Sequence, residues 1–247
     1  MEIDRQELRN TLNGLQQSTE VEEESFEDFN LISMSNPNRL KLYVRHFELF
    51  QVVHTLSDSD AVSLDVKQDK EMVFNSDVLT SLIKNSKSER LNIRFYEDKF
   101  SVEARDSWFS TPTTFTLNLF QEDEFQSILS LSDFETLASI DRRELVENLE
   151  MMSIVSNVVQ LKLTSDEFWI SVSDAVHGEG KVMEAVNRDE ISLNDFEQKY
   201  RIDIIESFLG SFNTDFVNVQ MNENQVLRLT AEDGGHTAEL TLAPRVR

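Results

Sequence analysis

Ile3-Asp4-Arg5-Gln6-Glu7-Leu8, near the start of the chain, returns as Ile140-Asp141-Arg142-Arg143-Glu144-Leu145. A second stretch, Phe74-Asn75-Ser76-Asp77-Val78-Leu79-Thr80-Ser81-Leu82-Ile83, returns as Tyr200-Arg201-Ile202-Asp203-Ile204-Ile205-Glu206-Ser207-Phe208-Leu209. The two pairs stand in the same order, at offsets of 137 residues (140 less 3) and 126 residues (200 less 74). Both offsets are close to half of the 247-residue chain, which predicts a duplicated unit.

The repeated stretches have the pattern of amphipathic helices. Asp4 is predicted to cap a helix over residues 4–15, and Glu7 to complete a capping box with it. Leucines at every third or fourth position of this segment then form a buried stripe. Helices are likewise predicted over residues 76–85, 141–152 and 202–212.

Short runs of alternating apolar residues fill much of the remaining chain. Leu91-Ile93-Phe95 and Val217-Val219-Met221 are examples, and their period of two predicts half-buried strands. Residues 134–140 are predicted to form a strand that leads into the third helix. Only three residues precede Asp4, so the corresponding first strand is predicted to be missing. Two helices among many strands in each half favour an α+β fold with largely antiparallel sheets.

The composition limits the classes of protein. A net charge of −23, from 46 acidic against 23 basic residues, fits a self-repelling soluble surface. It also fits adaptation to high salt, since the screening length shortens to ~3 Å at 1 M. The absence of Cys excludes disulfides, thiolate nucleophiles and Cys-based metal sites. No apolar run approaches the ~20 residues of a membrane helix, and no signal-peptide pattern is present, so a cytoplasmic location without membrane contact is expected.

Motifs for catalysis are lacking. Six Gly form no phosphate-binding loop, and no Ser lies in a Gly-x-Ser-x-Gly elbow. The four histidines share no ligand spacing and are interpreted as surface residues; they are His46, His54, His177 and His236. The sequence therefore predicts a protein that is not an enzyme, with no catalytic residue, no metal and no cofactor. A metal-dependent phosphoesterase with clustered carboxylates is a remote alternative.

Charge is distributed unevenly. The four predicted helices and their ends hold seven of the 23 basic residues and nine of the 46 acidic ones. If these helices lie on one side of the sheets, that side is nearly neutral while the rest of the surface is strongly acidic. Such a face could approach phosphates weakly.

The C-terminal half resembles a known family. The stretches are Lys199-Tyr200-Arg201-Ile202-Asp203-Ile204-Ile205, Asp215-Phe216-Val217-Asn218-Val219-Gln220-Met221 and the closing Leu242-Ala243-Pro244-Arg245-Val246. They resemble the DNA sliding clamps of the archaeal and eukaryotic type, the proliferating cell nuclear antigen family. The N-terminal half resembles this family mainly through the internal repeat, which relates it to the C-terminal half. The missing first strand and the few basic residues are departures that fit a divergent clamp from a halophile or its virus.

The resemblance implies a duplicated clamp fold, with an N-terminal clamp domain (1–120), an interdomain connector (121–133) and a C-terminal clamp domain (134–247). It implies a homotrimeric ring around duplex DNA, a processivity factor that tethers a replicative polymerase, a flap nuclease and a ligase. A clamp loader would close it on DNA. A clamp-like decoy, or a hetero-ring subunit that binds such partners without its own stable ring, is the alternative.

Three groups of residues follow from the resemblance. By position, the DNA-facing residues would be Arg5, Arg9, Lys84, Lys87, Arg142, Arg143 and Arg201. The partner-peptide pocket would be Leu40, Leu42, Ile128, Leu129, Leu131, Leu242, Ala243 and Pro244, rimmed by Glu122, Asp123 and Glu124. Core packing is the alternative for each single Leu. The subunit interface would pair Phe115, Leu117 and Leu119 on one edge strand with Lys181, Val182 and Met183 on another.

Overall fold

The computed structural model describes residues 2–19, 28–35, 38–46, 49–59, 62–67, 69–96, 99–104, 113–118, 128–164, 167–174, 178–185 and 191–245. The described elements form an α+β fold with four helices and three antiparallel sheets. In chain order they are β1 (Glu2–Asp4), α1 (Arg5–Thr19), β2 (Asp28–Ser35), β3 (Asn38–His46), β4 (Phe50–Ser57), β5 (Val62–Ser63), β6 (Lys70–Asn75), α2 (Ser76–Asn85), β7 (Arg90–Phe95), β8 (Lys99–Ala104), β9 (Thr113–Asn118), β10 (Glu135–Asp141), α3 (Arg142–Ser153), β11 (Val158–Leu163), β12 (Glu167–Asp174), β13 (Gly178–Ala185), β14 (Phe196–Arg201), α4 (Ile202–Ser211), β15 (Phe216–Met221), β16 (Leu227–Asp233) and β17 (His236–Leu242).

The predicted N-cap of the first helix is confirmed. Asp4 Oδ1 accepts hydrogen bonds from the backbone N–H groups two and three residues further on, at 2.7 and 3.2 Å. Asp141 Oδ1 makes the same two bonds at the start of α3, at 2.9 and 3.0 Å. Each cap satisfies two of the four N–H groups that a helix start leaves unpaired. Helix α1 runs on to Thr19, beyond the predicted end, because no Gly or Pro interrupts the polar residues that follow Leu15.

The prediction of a missing first strand was wrong. Strand β1 lies between β5 and β7, and its register places Ile3 opposite both Val62 and Leu91. Ile3 is fully buried. Three residues suffice here because Asp4 is both the last residue of the strand and the cap of the helix.

The chain divides into two compact units. Unit 1 comprises Met1–Val44, Val53–Ile128 and Asp233–Thr237, and unit 2 comprises Arg45–Val52, Leu129–Glu232 and Ala238–Arg247. Strands β3, β4, β16 and β17 are thus each divided between the two units.

Unit 1 places helices α1 and α2 side by side against strands. One sheet has the order β5-β1-β7-β8-β9, and β4-β3-β2-β6 are consecutive neighbours in another. The core between these elements includes Leu8, Leu79 and Ile83 from the helices. Phe74 and Phe100 meet edge to face, with ring centroids 5.6 Å apart, which is a favoured geometry for aromatic pairs.

Unit 2 pairs α3 with α4 in the same way. Its strands have the orders β10-β15-β16-β17 and β13-β12-β11-β14. Leu145, Leu149 and Phe208 from the helices are buried. Tyr200 is also fully buried; its hydroxyl donates to the Gln225 carbonyl oxygen at 2.6 Å, and burial raises the pKa of the phenol.

The order of elements in the first half recurs in the second. Each half runs strand, helix, a set of strands, helix and three strands, and the two-residue β5 is the extra described element in the first half. The strand pairs β1–β7 and β10–β15 have matching registers: Ile3 faces Leu91, and Ile140 faces Val217. These partners stand at the two sequence offsets, 137 (140 less 3) and 126 (217 less 91).

Individual hydrogen bonds recur at the same offsets. In each half, the first residue of the first helix is an Arg whose N–H and guanidinium both donate to backbone carbonyls near the end of the second helix. The bonds are Arg5 N to Glu89 O (2.8 Å), Arg5 Nη1 to Ser86 O (2.7 Å), Arg142 N to Asp215 O (2.9 Å) and Arg142 Nε to Phe212 O (2.7 Å).

None of the four described helices combines the length and the apolar character needed to cross a membrane.

Candidate functional site

Three of the seven cations expected to face DNA are engaged within the chain. The guanidinium groups of Arg5 and Arg142 hold the backbone carbonyls of Ser86 and Phe212, as described above. Arg201, the residue before α4, pairs with Asp203, and its Nε lies 3.1 Å from Oδ1 of that carboxylate. These side chains position the ends of the helices, so their charge is partly committed to the fold.

The other four cations lie on the helices and on the turn after α2. Lys84 and Lys87 are exposed at the end of α2, and Arg143 is exposed in the first turn of α3. Arg9 is half-buried on α1. Within the described ranges, none of these four makes an ion pair, so three exposed positive charges are available to an anionic ligand.

The two strands expected at a subunit interface both lie at the edge of a sheet. Strand β9 is the last strand of its sheet and pairs with β8. Strand β13 is the last strand of another and pairs with β12, with Lys181, Val182 and Met183 opposite Ser171, Ile170 and Trp169. On β9, Phe115 is 39% exposed and Leu117 is half-buried, whereas Leu119 lies outside the described residues.

A groove lies beside β9 in unit 1. Its volume is about 580 Å³, and residues of α2, β8 and β9 line it, with Val78, Leu82 and Phe115 as the main apolar ones. Val78 is 45% exposed. The corresponding face of α4 in unit 2 is covered: Ile204 and Phe208, which stand 126 positions after Val78 and Leu82, are 1% and 0% exposed.

The expected peptide pocket separates into buried and accessible residues. Leu40 and Leu42 on β3 and Leu242 on β17 are each 2% exposed and belong to the core. The accessible ones are Leu129, which is 38% exposed, and the half-buried Ile128, Leu131, Ala243 and Pro244. The acidic residues of the expected rim, Glu122, Asp123 and Glu124, lie outside the described residues.

Within unit 2, the start of β4 joins the connector to the C-terminal tail. Gln51 Oε1 accepts a hydrogen bond from the Leu129 N–H at 2.7 Å. The carbonyl of Leu49 accepts one from the Ala243 N–H at 2.8 Å. Leu49 is itself 43% exposed, so it adds an apolar surface next to the residues that were predicted.

Arg228 fixes the other end of the described connector residues. Its Nη2 donates to the Leu131 carbonyl at 3.2 Å, and its guanidinium lies 3.7 Å from the centroid of the Phe134 ring. A carboxylate of Glu239 lies 3.5 Å from its Nε. Leu49, Gln51 and Arg228 were not predicted from the sequence. The polar Gln51 within the apolar run of β4 was the one signal that could have identified this site.

The interpretation of the histidines as surface residues was wrong for two of them. His54 on β4 is fully buried and His236 on β17 is 8% exposed. His54 Nδ1 lies 2.9 Å from His236 Nε2, and His236 Nδ1 lies 2.5 Å from Oε1 of Glu7 on α1. Burial, and then the neighbouring His236, hold the pKa of His54 well below its ordinary value. All three residues belong to unit 1. The side chain of His46 and all of His177 lie outside the description.

These three side chains form a line of hydrogen-bonded groups rather than a shell around a point. Across the described residues, no group of three His, Cys, Asp or Glu side chains is arranged to hold a metal ion. The line joins helix α1 to two strands, which is a structural role for Glu7. This carboxylate was expected to complete a capping box, and it contacts His236 instead.

Comparison with known proteins does not assign a family: no family model matches this chain, and no curated protein matches its sequence.

Proposed function

We propose that this protein is a DNA sliding clamp, a non-enzymatic processivity factor that forms a homotrimeric ring around duplex DNA. The observation that supports the proposal is that β9 and β13, two of the six edge strands of the described sheets, correspond to β17 and β4, which are neighbours, in a chain whose two halves repeat their elements, registers and hydrogen bonds. A duplicated clamp fold accounts for this repetition. Known clamps of the resembled family tether polymerases, flap nucleases and ligases, and the same partners are proposed here.

The repetition also indicates how copies would associate. Strand β17 corresponds to β9 in element order, and β4 corresponds to β13. Strands β17 and β4 are neighbours in one sheet, while β9 and β13 each end a sheet. If β9 of one copy pairs with β13 of the next as β17 pairs with β4, the association is head to tail. Head-to-tail contacts close into a ring when the rotation that relates neighbouring copies is a whole-number fraction of a full turn.

The exposure of the helix faces supports the same arrangement. Val78 and Phe115 leave an apolar groove open beside β9, whereas the counterpart face on α4 is covered. An apolar groove next to an unpaired strand edge is a surface that a second chain can cover. The second copy would therefore cover the apolar groove of unit 1, whereas the corresponding face of α4 in unit 2 is already covered within the chain.

The charge of the helices suits a ring that slides. Lys84, Lys87 and Arg143 are exposed, but acidic groups lie among the helices as well. The pKa of Glu206 on α4 is raised by burial and by the nearby Glu150 and Asp203. A few cations among carboxylates give weak and salt-sensitive phosphate contacts. A protein that encircles DNA does not need tight contacts to stay on it.

A disulfide test addresses the proposed interface directly, because the natural chain has no Cys. The double variant Thr116→Cys/Lys181→Cys carries one thiol on β9 and one on β13. Mild oxidation is expected to give a covalent ladder that stops at three chains. Each single-Cys variant is the matched control and is expected to give at most dimers. A double variant that behaves like the single ones would count against the β9–β13 contact.

A further inference from the structure

The carboxamide of Gln51 is buried and only partly satisfied. The residue is 1% exposed, and its Oε1 accepts the Leu129 N–H at 2.7 Å. Its Nε2 is buried too, and no group in the described part of the chain accepts a hydrogen bond from it. Gln51 thus has one end of its amide paired with the connector and the other end unpaired.

An unpaired buried donor is uncommon and calls for a physical explanation. A carboxamide offers an acceptor on one side and donors on the other. Burial without a partner costs free energy, so native structures pair nearly all such groups with protein or with ordered water. A backbone peptide unit is the complementary ligand, because it presents an N–H and a C=O a short distance apart.

The residues around Gln51 are held firmly on one side, by Arg228, and by a single described hydrogen bond on the other, at Leu129. Leu131 and Phe134 are held by Arg228, as described above. Leu129 has one described hydrogen bond from its backbone, the bond to Gln51, and its side chain is 38% exposed. Leu49, two residues before Gln51, is 43% exposed. Displacement of Leu129 would therefore uncover both ends of the carboxamide beside two apolar side chains.

We propose that Gln51 is the residue of the partner-peptide site that binds the backbone of the peptide. An extended segment of the partner docks over Leu49; its N–H replaces that of Leu129 on Oε1, and its C=O accepts from Nε2. One bond to the connector is thus exchanged for two bonds to the peptide. The occupant is a short peptide with apolar side chains that cover Leu49 and Leu129, which are 43% and 38% exposed. Lys or Arg residues flank these side chains, since the chain carries a net charge of −23. The inference rests on the proposed function, which supplies such partners.

Calorimetry with a synthetic peptide tests this assignment. The probe carries one Leu and one Phe between Lys flanks, and a control peptide has Ala at both apolar positions. Gln51→Met, which keeps the size and removes both polar ends, is expected to weaken binding by about tenfold. Gln51→Glu keeps an acceptor and loses the donor when ionised, so binding should weaken at pH 8 and recover at a pH where the carboxyl is protonated. Gln220→Met, on β15, is the matched control and should bind like the wild type.

Hydrogen exchange of the wild-type chain tests the assignment even if a variant does not fold. The Leu129 amide is expected to exchange with solvent deuterium faster when the probe peptide is bound, because it loses its acceptor. Unchanged or slower exchange of this amide in the complex overturns the assignment, as does equal affinity of Gln51→Met and wild type. Failure of the wild type to bind any probe peptide counts instead against the proposed partner function.

Discussion

The helices α2 and α4 occupy corresponding positions in the two halves, yet one presents an open face and the other a covered one. Val78 and Leu82 line an accessible groove, while Ile204 and Phe208 lie in the core. The strands that correspond to each other also differ: β9 ends its sheet, and its counterpart β17 has a further strand beside it. We propose that another chain covers the open copy of this face.

The largest expected effect is a difference in stability between matched truncations. Ile204→Ala should lower the free energy of unfolding by about 3 kcal/mol, because it removes a fully buried side chain. Val78→Ala should cost about 0.5 kcal/mol or less in the isolated chain, since Val78 is half exposed. Urea unfolding at a concentration where light scattering shows single chains measures both. Equal costs would show that the two faces are not differently covered.

Removal of the helix N-cap should lower the free energy of unfolding by the same amount in the two halves. Asp4→Ala and Asp141→Ala each remove a carboxylate that accepts two helix N–H groups, so each should cost about 1 kcal/mol. Thermal and urea unfolding give the two values. A cost confined to one of the two positions would show that the repetition seen in hydrogen bonds does not extend to energetics.

The buried histidines should make the free energy of unfolding depend on pH. The pKa of His54 in the folded chain is lowered by burial, whereas in the unfolded chain it is near 6.5. Below about pH 6.5 the unfolded state binds more protons, so this residue stabilises the fold above that pH and its contribution falls on acidification. His54→Gln should flatten the decline in the free energy of unfolding between pH 7 and pH 5. An unchanged slope in this variant would mean that His54 does not titrate on unfolding.

The smallest expected effect is on DNA contact. Lys84→Gln and Arg143→Gln should each leave stability within about 0.5 kcal/mol of the wild type, because both side chains are exposed. Each should reduce the slope of log affinity for duplex DNA against log salt by about 1. Lys162→Gln, on β11 and paired with Glu197, is the control and should leave the slope unchanged. Equal slopes for all variants would remove these two cations from the DNA-facing set.

Local signals in the sequence predicted the helices well. The apolar periods of α2, α3 and α4 placed their ends within one residue, because the buried stripe of a helix depends on neighbours a few positions away. Strand β1 was missed because only three residues precede Asp4, and Asp4 is both the last residue of the strand and the cap of the helix.

Contacts between distant parts of the chain could not be predicted in this way. His54 and His236 are 182 residues apart, and His236 and Glu7 are 229 apart. Gln51 and Leu129 are 78 residues apart. Nothing in the local pattern of any of these residues specifies its partner, since strand pairing brings them together. The candidate site was therefore predicted in part, from Leu129, Leu131 and the tail, and its buried polar residue was missed.

On this proposal, unit 1 has a position for a second copy of this chain. Light scattering after size exclusion in molar salt, with micromolar protein, measures this most directly. The wild type is expected at three times the 28.6 kDa of one chain, and Val78→Glu, which places a charge in the open groove, at one chain with an unchanged fold. A wild type that stays at the mass of one chain across salt and concentration would contradict the account.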